Sequence, residues 1–71
     1  MDIKIAVGLR IKELRIMRNI TQEQLAYISE LDRTYINSVE NGRRNISIVN
    51  LEKISKGLRI HLKDFFDDKI F

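Results

Sequence analysis

The chain contains no cysteine and no proline. Without cysteine there is neither a disulfide staple nor a thiolate zinc site. Without proline no obligatory helix breaker interrupts it. Only three glycines occur in 71 residues, and tryptophan is missing. So few turn-forming residues favour an all-α chain over one rich in hairpins. A single histidine, His61, has no serine, cysteine or acid arranged around it as a catalytic set, and no glycine-rich phosphate loop is present. An enzyme, a cofactor, a metal site and a small-molecule substrate are therefore not expected. No apolar run approaches the roughly 20 residues that cross a bilayer. The opening MDIKIAVGLR carries an acid and lacks the layout of a secretory leader. No membrane association and a cytoplasmic location are the expectations.

What is present is a small, basic, helix-forming chain. Seventy-one residues make one domain, 1–71. A domain of this size buries only about 60% of its unfolded surface, so its stability is modest. The formal charge is +3, a balance that suits a polyanionic partner, because lysine and arginine release phosphate counterions on binding. Residues 61–71 hold Lys63 and Lys69 against Asp64, Asp67 and Asp68, a net charge of −1. The positive character therefore lies upstream, in Arg10 to Arg18, Arg33, Arg43 and Arg44.

Helix starts are written plainly. Thr21 suits an N-cap, with Gln24 at N3 completing a capping box. Asp32 suits a second cap eleven residues later, and Ser47 a third. An apolar residue precedes each cap and another follows at N4: Ile20 with Leu25, Leu31 with Ile36, Ile46 with Leu51. Ile60, His61 and Phe65 repeat the arrangement at the start of a last helix. The first helix, about 3–18, shows a buried stripe of Val7, Ile11 and Leu14, with Arg15 and Arg18 in the same register. Asn19 suits the left-handed residue that ends it. A second helix, 22–29, is expected to bury Leu25, Ala26 and Ile28. A third, 33–41, buries Ile36 and Val39 and ends at Gly42. A fourth presents Ile48, Leu51, Ile54 and Leu58. The fifth carries Leu62, Phe65, Phe66 and Ile70, with fraying from about Asp68. Five short helices with brief connections make a compact orthogonal bundle. The second and third form a helix-turn-helix over about 21–42, a layout that presents a helix N-terminus to base edges in the major groove.

These segments resemble a known family. GLRIKELR, ITQEQLA, LDRTYINSVENG and ISKGLRIHLKDFF are similar to the lambda and 434 phage-repressor type of domain, the Xre-like helix-turn-helix regulators, from Gly8 to Phe66. Within that family LDRTYINSVENGRRNISI looks most like the controller proteins of restriction-modification systems. The resemblance implies a five-helix lambda-repressor-like fold, a homodimer and a near-palindromic double-stranded DNA operator. It also implies a partly buried ion pair between Arg15 and Glu40. Three residues depart from the pattern. Glu30 and Arg59 stand where the family has glycine, and His61 stands where it has a serine cap.

Arg33, Thr34, Tyr35 and Asn37 are the expected base-contacting residues. Arginine reaches guanine O6 and N7 with two donors, threonine offers a hydroxyl and a methyl, and an asparagine amide can read adenine. Asn37 lies one turn beyond Arg33 on the same face. Tyr35 has an alternative, with its ring packed on the helix 2 side and its hydroxyl in water. Thr21, Gln22, Asn41, Arg43, Arg44 and Asn45 are the expected phosphate contacts. Gln22 sits where the second helix's dipole favours an anion, and the other four polar residues past Thr21 and Gln22 cluster after the third helix. Leu62, Phe65, Phe66 and Ile70 are the expected dimer interface, with Phe71 beside them. Glu23 projects from the start of the second helix as a candidate contact for an RNA polymerase sigma subunit. A transcriptional regulator is the leading function. An antitoxin-type protein-interaction module on the same fold is the alternative, since fold alone does not fix function.

Overall fold

Local signals decide where each helix of this chain begins and ends. The computed structural model describes all residues from Met1 to Phe71 and contains five helices: α1 (Ile3–Met17), α2 (Gln22–Ser29), α3 (Arg33–Glu40), α4 (Ile48–Gly57) and α5 (Leu62–Phe65). Four N-termini carry side-chain caps. Asp2 accepts from Lys4 N at 2.7 Å, Asp32 from Thr34 N at 3.2 Å and Ser47 from Asn50 N at 3.1 Å. Thr21 and Gln24 form a reciprocal capping box, at 3.0 and 2.8 Å. Each satisfies a donor that the helix itself leaves unpaired. His61 occupies the fifth cap position without a side-chain hydrogen bond.

The C-termini of α1 to α4 share one device. Asn19, Glu30 and Arg59 each have φ 57°, and Gly42 has φ 73°. The next residue donates back across the last turn: Ile20 N to Arg15 O, Leu31 N to Ala26 O, Arg43 N to Ser38 O and Ile60 N to Ser55 O. This is the Schellman closure. Ile20, Leu31 and Ile60 all pack against the core, so one apolar residue closes a helix and staples the start of the next. Glu30 and Arg59 adopt the left-handed turn despite their β-carbons. That conformation costs a non-glycine residue about 1 kcal/mol.

Eleven buried residues form the core: Val7, Ile11, Leu14, Leu25, Ala26, Ile36, Val39, Leu51, Ile54, Leu58 and Phe65. Gly8 is required where α1 crosses the end of α3. A β-carbon there would overlap the Val39 carbonyl oxygen and lie 3.0 Å from that of Glu40. No helix is long and apolar enough to cross a membrane.

Several sequence expectations are corrected. Ile28 is 50% exposed and Ile48 is 69% exposed; the buried places on α2 and α4 go to Ser29 and Ser55 instead. The two helices approach closely at Gly57 of α4, where a β-carbon would meet Ser29 Oγ at 2.9 Å and Ile28 Cγ2 at 3.2 Å; Ile28 touches this contact and is still half-exposed. Arg18 is exposed rather than part of the α1 stripe, and its Nε donates to Leu58 O at 2.9 Å. Phe65 is fully buried and belongs to the core, which removes it from any direct subunit contact. Ile70 lies beyond α5, not on it. The segment from Asp68 is tied down rather than frayed. Asp68 accepts from Ile70 N and Phe71 N, and the rings of Phe66 and Phe71 pack at a 54° tilt with centroids 4.9 Å apart.

Arg10 holds that tail in place. It is 9% exposed. Its Nε donates to Phe65 O at 2.7 Å, capping a carbonyl that the short α5 leaves free, and its Nη2 to Asp64 O at 2.9 Å, which also accepts from Asp67 N. Its Nη1 reaches Glu13 at 2.7 Å and Asp68 at 3.2 Å. Arg10 thus belongs to the scaffold and not to the basic surface.

Candidate nucleic-acid interface

The turn between α2 and α3 sets the geometry of the site. The left-handed Glu30 reverses the chain, Leu31 anchors it to the core and Asp32 caps α3. The first residues of α3 are therefore fixed in direction while their side chains point outward. Arg33 and Thr34 are exposed. The guanidinium of Arg33 enters no ion pair and donates no internal hydrogen bond, so its donors are free. Gln22, Arg33, Thr34 and Asn37 line one shallow polar concavity. A second begins beside it, lined by residues that include Asn19, Thr21, Gln22 and Arg33.

Beneath this surface Arg15 and Glu40 form a two-pronged pair, with Nε–Oε2 2.8 Å and Nη2–Oε1 3.0 Å. The Glu40 side chain is 1% exposed. Arg15 Nη1 also donates to Ile20 O at 3.0 Å, joining α1, the turn before α2 and the end of α3. The network extends outward. Gln22 Nε2 donates to Glu40 Oε1 at 3.1 Å, Asn37 Nδ2 to Gln22 Oε1 at 3.1 Å and Asn41 Nδ2 to Asn37 Oδ1 at 3.2 Å. Gln22, Asn37 and Asn41 are thus brought together as one hydrogen-bonded row.

Tyr35 departs from the alternative that leaves its hydroxyl in water. Its hydroxyl accepts from Asn50 Nδ2 of α4 at 3.1 Å rather than standing in water, and its ring faces Arg44, whose Cζ lies 5.0 Å from the centroid. Arg44 is consequently held over an aromatic face, although it is exposed, as are Arg43 and Asn45. Thr21 Oγ1 accepts the Gln24 N–H and keeps its own hydroxyl proton for another acceptor. The sequence reading missed Asn50 and the row behind Asn37. A polar residue at N3 of α4 carries no signal of a partner fifteen residues upstream.

Known proteins with this arrangement make its lineage plain. A helix-turn-helix family model matches residues 11–65. The control protein C.MunI of a Mycoplasma species is 53% identical over 68 residues, covering 94% of this chain and 92% of that protein. The chain belongs to the helix-turn-helix family of restriction-modification controller proteins. The crystal structure of the controller C.AhdI from Aeromonas hydrophila superposes with a TM-score of 0.88 at 39% identity, covering 93% of this chain and all of that one. The controller C.Esp1396I, solved as a tetramer in complex with its natural 35-base-pair operator, superposes with a TM-score of 0.89 at 43% identity, covering 94% of this chain and 88% of that one. The controller family thus accounts for the five-helix architecture, and the relatives are transcriptional control proteins rather than enzymes.

Proposed function

We propose that this controller-family protein is a cytoplasmic transcription regulator that binds a near-palindromic double-stranded DNA operator as a homodimer. One α3 from each protomer would enter the major groove, at half-sites about 34 Å apart or a multiple of that spacing. The observation that carries the reading is the unpaired Arg33 guanidinium at the exposed tip of a capped, rigid helix, flanked by Thr34 and Asn37. Binding of C.Esp1396I to its operator supports it.

Arg33, Thr34, Tyr35 and Asn37 read bases in this proposal. Thr21, Gln22, Asn41, Arg43, Arg44 and Asn45 meet phosphates. Leu62, Phe66 and Ile70, joined by Phe71, supply the apolar contact between protomers. Phe66 and Phe71 are 40% and 43% exposed, large for aromatic residues in so small a chain. Arg33→Ala is expected to cost about 1–3 kcal/mol on the operator and to relax the preference at one base pair. Arg43→Ala, which removes a charge without touching Tyr35, is expected to weaken binding to every sequence alike and to lower the salt slope by about 1. Salt titrations on operator and random duplexes separate the two. Identical behaviour of both variants would contradict this division of labour.

The outer face of α2 offers Glu23, together with Tyr27 at 87% exposure and Ile28 at 50%. This face supports contact with an RNA polymerase sigma subunit. Glu23→Lys should abolish promoter stimulation in transcription with purified components and leave operator affinity intact. Full stimulation by that variant would remove Glu23 from the role.

A further inference from the structure

We infer that Glu40 determines which amide atoms the recognition surface presents, and so acts as a specificity-setting positioning residue as well as a structural ion-pair partner. A side-chain amide can ordinarily sit either way round, with its oxygen and nitrogen exchanged. In this chain it cannot. A carboxylate only accepts hydrogen bonds, and both Glu40 oxygens face the two prongs of Arg15. Gln22 must therefore turn its NH₂ toward Glu40, which leaves its oxygen facing Asn37. Asn37 must then offer its own NH₂ to Gln22 and its oxygen to Asn41. One buried negative charge fixes the polarity of three amides in succession, and the last two are exposed.

The consequence reaches the concavity lined by Gln22, Arg33, Thr34 and Asn37. Asn37 keeps one N–H and one oxygen lone pair outside the row, in a direction it cannot reverse without breaking two hydrogen bonds. The side chain is thereby pre-set before any base arrives. Pre-setting favours the base edge whose donor and acceptor order matches and penalises the reverse order.

Arg15→Met combined with Glu40→Leu makes the test, because it removes both buried charges together and leaves Gln22 no acceptor at the head of the row. This inference rests on the DNA-binding reading, so the experiment has two arms. In the first, side-chain amide NOEs of the free protein report the orientation of Gln22, Asn37 and Asn41 without DNA. In the second, duplex binding compares the wild-type operator with single base-pair replacements and with random sequence. The expected result is amide NOEs that no longer report one orientation, and a fall on the order of tenfold in discrimination at the base pair nearest Asn37. Wild-type amide orientations, or wild-type base preferences, in that variant would overturn the inference. Gln22→Leu, which keeps the ion pair and cuts the row between Glu40 and Asn37, covers the case in which the paired variant does not fold. Its Asn37 and Asn41 amides should lose their single orientation and its discrimination at that base pair should fall; retention of both would equally overturn the role of Glu40. Failure of the wild-type protein to bind any duplex selectively would refute the DNA reading instead, and the free-protein arm would still decide the row.

Discussion

Glu40→Ala is expected to lower folding stability by about 3–5 kcal/mol, because it strands the Arg15 guanidinium in a site that admits little water. In a domain of this length that corresponds to a fall in Tm of at least about 12 °C. The size of the effect reflects the unpaired survivor rather than the value of the pair. Arg15→Met combined with Glu40→Leu should therefore recover most of the loss, since two buried charges and their desolvation disappear together. Thermal unfolding of the single and double variants checks this. A double variant no more stable than Glu40→Ala would mean that the pair contributes through something other than charge burial.

Arg10→Met is expected to cost about 3 kcal/mol through the loss of hydrogen bonds to a charged donor, and to act on one region. The guanidinium ties α1 to the Asp64 and Phe65 carbonyls and to Asp68. Methionine keeps the apolar stem but holds none of those acceptors. The α5 turn and the three-phenylalanine cluster should then open ahead of α1–α4. Amide hydrogen exchange should show lost protection concentrated over residues 62–71. Phe65, a fully buried core side chain, sits on that segment, so its loosening also carries a core penalty. Dimerisation, which is proposed to use Phe66 and Phe71, should weaken at the same time. Uniform loss of protection throughout the chain would show that Arg10 supports the whole core rather than the tail.

Much of the fold was legible because its signals are local. Thr21 with Gln24, Asp32 and Ser47 mark helix starts through hydrogen bonds spanning two or three residues, and Asn19 marks a helix end through its tolerance of positive φ. The helix boundaries of α2 followed from these alone. Burial was less legible wherever two helices approach closely. Ile28 and Ile48 fit the apolar period, yet both are half or more exposed while Ser29 and Ser55 are buried, Ser29 against Gly57 of α4. Periodicity reports which face turns inward, not how much space lies there. Phe65 misled for a related reason: a short terminal helix with several aromatics reads alike whether it plugs its own core or covers a partner.

The candidate site divides in the same way. Arg33 and Thr34 followed from their position after a cap, and the Arg15–Glu40 contact from family resemblance. Arg10 was read as surface charge because its acceptors, the Asp64 and Phe65 carbonyls, lie more than fifty residues away and backbone acceptors leave no mark in sequence. Asn50 on Tyr35, Arg44 over the same ring and the Gln22–Asn37–Asn41 row likewise depend on tertiary placement.

Selection of bound duplexes from a random-sequence library, run in parallel on the wild-type protein and Arg33→Ala, tests the central claim most directly. The account predicts a two-fold symmetric motif with half-sites spaced by about one helical turn or a multiple of it, and loss of one guanine preference in each half-site of the variant. Recovery of no motif, or of the same motif with equal stringency from the variant, would contradict it.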